Sequence, residues 1–211
     1  MTDTVSKRIQ HALARMASTI LQPLLMPLYA MLIMLNGSSY MVLLFPPQVK
    51  MFLILTVIVC TLVIPALFIF FLNAMGALED LKMNNRRERV VPLIVIMLTY
   101  ALCAVIIVLK VSTGLAFSGM MAAIACIAVA LVVTPFWKIS LHMTGIGGVY
   151  AILLFLGIHE PGDFTIPMTV ATLLAGVLAW SRLYLGRHTP AQVLAGFFGG
   201  FLAASLVLFI L

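Results

Sequence analysis

The sequence predicts an all-α integral membrane protein, a polytopic bundle of six to seven transmembrane helices in a single domain over residues 1–211. Of its residues, 64% are hydrophobic and 9% are charged. A water-soluble fold could not cover its surface with so few polar groups. The apolar runs are continuous and do not alternate in ten-residue segments, which favours helices over a transmembrane barrel.

Seven uncharged or nearly uncharged runs approach or exceed the roughly 20 residues that a helix needs to cross the hydrocarbon. The predicted spans are Ala17–Val49, Met51–Leu78, Val90–Leu109, Val111–Trp137, Ile139–Ile158, Phe164–Trp180 and His188–Leu211. The polar segment around Lys7 and Arg8 precedes a span too long for a signal peptide, so we expect the first span to be retained.

Small residues and cysteines have simple structural interpretations. Gly196, Gly199 and Gly200 permit close packing of the last helix. The three cysteines, at positions 60, 103 and 126, lie inside apolar runs without paired or metal-ligand spacing, so we expect buried thiols. The sequence predicts neither a metal nor another cofactor.

The basic residues lie mainly on one side of the predicted bundle. Of twelve Lys and Arg residues, only Lys50 and Lys110 fall on the side opposite the N-terminus. The positive-inside rule therefore places the N-terminal side in the cytoplasm, here of a bacterial inner membrane. A periplasmic orientation stays open, since basic residues that bind an anion are placed for function and not by topology.

Three polar segments follow the second, fourth and sixth spans and emerge on that same side, where they can form one site. They are Glu79–Arg89, Lys138–His142 and Ser181–His188. Guanidinium and ammonium groups suit the oxygens of a phosphate group. An imidazole can attack phosphorus or protonate a departing alkoxide near neutral pH.

These segments resemble the three motifs of the type 2 phosphatidic acid phosphatase superfamily, over about residues 79–200. The third motif, Ser-Arg, five residues, His, three residues, Asp, is matched by Ser181-Arg182 and His188, with Gln192 in place of the aspartate. The first, Lys, six residues, Arg-Pro, is matched by Lys82 and Arg89 but not by Val90. The second, Pro-Ser-Gly-His, is matched by Ser140 and His142 only.

The resemblance implies a metal-independent membrane phosphatase that hydrolyses a phosphomonoester or pyrophosphate on a lipid or polyprenyl substrate. It implies that His188 is the nucleophile, forming a phosphohistidine, and that His142 is the general acid. The expected phosphate ligands are Lys82, Arg89, Ser140 and Arg182. The expected partners are membrane lipids and the phosphorylated lipid, with no nucleic acid, and the oligomeric state is left open.

Gln192 stands where the family has a carboxylate that orients the nucleophile and stabilises its positive charge. Its amide oxygen, four residues on, could still accept the N–H of His188. Alternatively, Thr189, Pro190 and Gln192 form a capping box at the start of a helix. Either role, or both in alternation, fits the sequence.

Each site residue also has a structural explanation. Arg182 could be an interfacial anchor, His142 an interface histidine, and the loop from Lys82 to Arg89 a lipid-facing basic segment. A second function is therefore open: the same residues could bind a phospholipid or polyprenyl phosphate without hydrolysis, as a carrier. A prenyltransferase is disfavoured, because the six acidic residues supply no pair of aspartate-rich motifs.

Overall fold

A computed structural model of the chain describes residues 2–36, 45–76, 89–111 and 114–211, with side chains from Val5 onward. Within these ranges the secondary structure is helical and contains no strand. Seven helical stretches are long and apolar enough to cross a membrane. The prediction of an all-α integral membrane protein is therefore confirmed.

The described chain forms eight helical segments, of which the first two share one span. They are α1 (Thr2–Ile20), α2 (Met26–Asn36), α3 (Pro47–Ala74), α4 (Val90–Lys110), α5 (Gly114–Val133), α6 (Leu141–His159), α7 (Thr165–Tyr184) and α8 (Pro190–Ile210). Helix α3 includes a π-helical stretch, Ile58–Val63. Pro65 follows it and has no N–H to donate back along the helix, a usual cause of such irregularity.

The first span differs from its prediction as one continuous run from Ala17. Helix α1 begins at Thr2, ends at Ile20 and is followed by a short 3-10 turn, Pro23–Leu25. Pro23 causes the break, because proline disfavours a helical conformation in the preceding residue. Gln22 is accordingly extended, with φ −71° and ψ 150°. The last carbonyl groups of α1 are thereby left without their usual helical partners.

Helix α1 is amphipathic, and its two faces have different neighbours. One face exposes an apolar stripe spaced at three and four residues, namely Val5, Ile9, Leu13, Met16 and Ile20. The other face packs against α7 and includes Ala14, which is fully buried, and Ser18. The C-terminal end of α1 is thus fixed against the C-terminal end of α7.

Helices α6 and α8 pack closely enough that glycine is required at their crossing. A Cβ atom on Gly196 would lie 2.7 Å from the carbonyl oxygen of Ser140, and one on Gly200 would overlap the backbone of Thr144. The close packing predicted from these glycines is confirmed. It places the beginning of α6 beside the beginning of α8. The three cysteines are free and buried, as predicted.

Candidate active site

The segment before α6 places two of the predicted residues. Ser140 is the N-cap of α6, in an extended conformation, and its N–H donates to the carbonyl of Gln192 at 3.4 Å. Its side chain makes no capping bond. The Oγ atom is fully buried and has no hydrogen-bond partner among the described residues. Leaving a buried hydroxyl unpaired costs about 1–3 kcal/mol, so this group is suited to a ligand.

The Ser-Arg-x5-His spacing is produced by a tight turn after α7. Gly186 has φ 62°, a left-handed conformation that favours glycine. Its N–H donates to Leu183 at 3.0 Å, and the N–H of Arg187 donates to Arg182 at 3.1 Å. These two bonds form a Schellman motif, which reverses the chain. His188 is thereby returned to the end of α7 that carries Arg182.

His188 is held through one ring nitrogen. Its Nδ1 lies 3.3 Å from the carbonyl oxygen of Lys138 and 3.2 Å from Oε1 of Gln192. A backbone carbonyl only accepts hydrogen bonds, so Nδ1 carries the proton and Nε2 keeps its lone pair. The neutral imidazole is therefore oriented with Nε2 available as a nucleophile.

Gln192 combines the two roles that the sequence leaves as alternatives. Its Oε1 accepts the N–H of Thr189 at 3.2 Å, and its own N–H donates to Thr189 Oγ1 at 3.4 Å, completing the capping box. The same Oε1 accepts from His188. One amide oxygen thus caps α8 and holds the imidazole.

The electrostatic environment keeps the His188 ring neutral. Burial, followed by the positive charge of Arg182, lowers its pKa to about 4, against the smaller opposing effect of the Gln192 hydrogen bond. Burial also lowers the pKa of Arg89, which immediately precedes α4. Burial and the charges of Arg89, Arg187 and Arg182 lower the pKa of Lys138. The positively charged side chains at this end of the bundle therefore form one region that suits a polyanion. They are Arg89, Lys138, Arg182 and Arg187.

Arg182 lies at the end of α7 with part of its guanidinium already bonded. Its Nη1 donates to Ser18 Oγ at 2.9 Å, whereas its Nε is buried without a partner among the described residues. His142, in the first turn of α6, has its Nε2 3.1 Å from the carbonyl oxygen of Ser18. The end of α1 therefore contacts both residues.

The structure brings six of the seven predicted site residues to one end of the bundle. They are Arg89, Ser140, His142, Arg182, His188 and Gln192. Hydrogen bonds join Ser140, Gln192 and His188, and a shared partner, Ser18, joins His142 and Arg182; the charges of Arg182 and Arg89 act on His188. The seventh, Lys82, lies outside the described residues. Sequence reasoning missed Ser18 and the carbonyl group of Lys138. No local signal marks them, since both act through contacts between distant segments.

An apolar groove of about 620 Å³ lies in the membrane-spanning part of the bundle, and none of the six site residues is among those that line it. Helices α1, α2, α6 and α7 line it, and its walls near the site are Ala17, Ile146 and Val177. Along their helices these residues are one, four and five positions from Ser18, His142 and Arg182, which is about 1.5, 6 and 7.5 Å at the rise of an α-helix. Along α7 the lining extends back to Ile166, a distance of about 16 Å at the rise of an α-helix.

Comparison with known proteins gives one partial similarity. The chain is 49% identical over 49 residues to a Neurospora crassa protein provisionally named a dolichyldiphosphatase. The match covers 22% of this chain and 17% of that protein, so the chain aligns with less than a fifth of its relative's length. No family model matches the chain, and no solved structure matches it. The name of that protein describes it as a phosphatase of a dolichyl diphosphate.

Proposed function

We propose that this protein is a membrane lipid-phosphate phosphatase of the type 2 phosphatidic acid phosphatase kind, using a phosphohistidine intermediate. The observation that carries the proposal is His188, with its proton held on Nδ1 and its Nε2 lone pair available. At the same end of the bundle are two buried hydrogen-bonding groups without described partners, Ser140 Oγ and Arg182 Nε. A phosphate group would supply acceptors to both.

In the first proposed step, His188 Nε2 attacks the terminal phosphorus and a P–N bond forms while the P–O bond to the leaving group breaks. His142, after taking up a second proton at Nδ1 from the medium, donates that proton to the departing oxygen, which leaves as a lipid alcohol or a lipid monophosphate. Arg89 and Arg182 stabilise the charge on the transferring phosphoryl oxygens, with Ser140 and Lys82 as further ligands. In the second step, water attacks phosphorus, His142 accepts its proton, and inorganic phosphate departs from His188.

The groove supports a substrate with a long hydrocarbon chain. Its lining is apolar, and Ile146 and Val177 at one end lie about 6 and 7.5 Å along their helices from His142 and Arg182, so a chain in the groove would extend its phosphate towards the site. The partial relative is named for a dolichyl diphosphate. We therefore propose a polyprenyl or comparable lipid diphosphate as the first substrate to test.

A non-hydrolytic binding protein is the second candidate, and Gln192 is the observation that favours it. A neutral amide holds the imidazole but supplies no charge to stabilise the imidazolium form. Such a protein would bind the lipid phosphate through the same arginine residues and release it unchanged.

The decisive experiment is phosphate release from a panel of purified lipid monophosphates and diphosphates, comparing wild type with His188→Ala. His159→Ala is the matched control, because His159 lies at the opposite end of α6, stacked on Phe155. We expect hydrolysis by wild type and His159→Ala, its loss in His188→Ala, and an acid-labile phosphohistidine in quenched reactions. Inactivity on the whole panel, with lipid-phosphate binding that Arg182→Ala abolishes, would establish the binding function instead.

The proposed orientation places the site in the cytoplasm. Arg8→Cys and Asp163→Cys provide a matched pair, since both positions are exposed and the chain's own cysteines are buried. In intact cells we expect an impermeant thiol reagent to label Asp163→Cys and to spare Arg8→Cys. The reverse pattern would make the site periplasmic.

A further inference from the structure

Ser18 reaches the site because Pro23 ends the first helix. The extended conformation of Gln22 stops α1 at Ile20, so carbonyl groups of its last turn need partners outside the helix. The carbonyl oxygen of Ser18 lies 3.1 Å from His142 Nε2. Since a carbonyl only accepts, Nε2 carries the proton, and Nδ1 is left to take up and deliver a second one.

The hydroxyl group of Ser18 belongs to a hydrogen-bond chain with a defined direction. Ser181 Oγ donates to the carbonyl of Ala14 at 2.6 Å, which uses the one hydrogen of that hydroxyl. Ser18 Oγ, 2.9 Å from Ser181 Oγ, must then donate to it. A lone pair of Ser18 Oγ remains for Arg182 Nη1, at 2.9 Å. The guanidinium is therefore fixed by a hydroxyl whose own proton is committed elsewhere.

We propose that Ser18 is a positioning residue of the active site, fixing the tautomer of His142 with its carbonyl and the guanidinium of Arg182 with its hydroxyl. This inference rests on the proposed function. It adds the first helix to a site whose predicted motifs all lie between residues 79 and 200. The carbonyl of Ser18 does for His142 what Lys138 and Gln192 do for His188, since each holds one ring nitrogen and leaves the other for chemistry.

The hydroxyl can be tested apart from the carbonyl with side-chain variants. Ser18→Ala removes the acceptor for Arg182, Ser18→Thr keeps it, and Ser18→Cys replaces it with a weaker acceptor of similar size. Thr19→Ala is the matched control, because Thr19 Oγ1 is exposed and bonds only to the carbonyl of Arg15 in the same helix. The measurements are KM and kcat on a lipid diphosphate, and inhibition constants for inorganic phosphate and orthovanadate.

We expect Ser18→Ala to raise KM and both inhibition constants about tenfold, as for a lost hydrogen bond to a charged group. Ser18→Cys should fall between Ser18→Ala and wild type. Ser18→Thr and Thr19→Ala should stay within about twofold of wild type. In an Arg182→Gln background, Ser18→Ala should have no further effect, because the two residues act as a pair.

Several outcomes overturn the inference. Phosphate affinity in Ser18→Ala equal to wild type would exclude the hydroxyl from the site. Equal losses in Ser18→Ala and Thr19→Ala, or an undiminished effect of Ser18→Ala in the Arg182→Gln background, would indicate general damage to α1. If wild type neither hydrolyses lipid phosphates nor binds phosphate, the proposed function fails and Ser18 loses its role with it. If wild type hydrolyses lipid phosphates and only the Ser18 comparisons fail, the proposed phosphatase function is retained and only the positioning role of Ser18 is rejected.

Discussion

Oε1 of Gln192 lies 3.2 Å from Nδ1 of His188 and 3.2 Å from the backbone nitrogen of Thr189. A single oxygen atom therefore joins the start of α8 to the proposed nucleophile. The folding role and the orienting role of Gln192 cannot be removed separately by deleting its side chain. The capping of α8 and the orientation of His188 can be separated only by a substitution that keeps an oxygen at the position of Oε1 and changes its charge.

Gln192→Glu makes that change. A glutamate oxygen can still accept from Thr189 and His188, and its charge would stabilise the imidazolium form that develops during phosphoryl transfer. We expect hydrolysis to rise by about tenfold or more, since loss of such a carboxylate has a far larger effect in other triads. The measurement is single-turnover phosphate release. A rate at or below that of wild type would mean that charge at this position is not limiting.

Gln192→Ala is the companion variant. It removes the capping oxygen and the imidazole acceptor together, so we expect a loss of about 1 kcal/mol in stability as well as a lower rate. Thermal unfolding in detergent, beside the activity assay, separates the two effects. Unchanged unfolding would show that the capping box contributes nothing.

The low pKa of His188 predicts how activity depends on pH. Its imidazole should remain neutral, and therefore nucleophilic, down to about pH 4, where an ordinary histidine would already be protonated near pH 6.5. The acid limb of kcat/KM should accordingly have its midpoint well below pH 6. In Gln192→Glu the added carboxylate should raise this midpoint. A wild-type limb centred at pH 6.5 would contradict the buried, neutral ring.

The same pKa predicts a stability effect with a definite sign. The folded-state pKa lies below the unfolded value, so the unfolded chain binds the additional proton between about pH 6.5 and pH 4. The contribution of His188 is complete above pH 6.5 and is lost as the pH falls towards 4. Unfolding midpoints of wild type and His188→Gln across this window isolate the contribution. If the unfolding midpoints of wild type and His188→Gln changed in parallel with pH, His188 would make no such contribution.

Ser140→Ala should change stability and function in opposite directions. Removing a buried hydroxyl that has no described partner relieves a desolvation penalty, so the ligand-free protein should be as stable as wild type or more stable. The affinity for phosphate should fall about tenfold, because a ligand to the phosphate oxygens is lost. Thermal unfolding with and without inorganic phosphate measures both. A less stable variant with normal phosphate affinity would identify Ser140 as purely structural.

The groove predicts a dependence on chain length. Leu174 lines it, whereas Leu173, the residue immediately before it on α7, is 65% exposed and does not. Leu174→Trp should raise KM about tenfold for a long-chain diphosphate and leave a short-chain analogue unaffected. Leu173→Trp should affect neither substrate. Equal effects of the two tryptophans would place the hydrocarbon chain elsewhere.

The seven spans could be predicted from the sequence because length and apolar composition nearly determine a transmembrane helix. Their ends agree with the structure to within a few residues for most spans, as at Val90, where α4 begins. The exception is the first span. Pro23 is visible in the sequence, but proline is tolerated in many membrane helices, so the break that it causes could not be read from composition.

The site was less accessible to sequence reasoning than the fold. Motif spacing pointed to His188 and Arg182, because a helix end and a tight turn are local structures. Ser18 is more than 120 residues from His142 in sequence, and its contacts exist only after α1 packs on α7. The sequence leaves capping, imidazole orientation, or the two in alternation open for Gln192, because a sequence pattern does not show how many donors one oxygen receives at once.

The apolar stripe of α1, from Val5 to Ile20, faces away from the protein on the helix whose last turn holds Arg182 and His142. A stripe of this kind is stable only against an apolar medium, such as the boundary between headgroups and acyl chains. The protein thus depends on its solvent for the placement of its first helix. Lipid packing and detergent choice become variables of the proposed phosphate site itself, and rates measured in micelles and in bilayers are expected to differ.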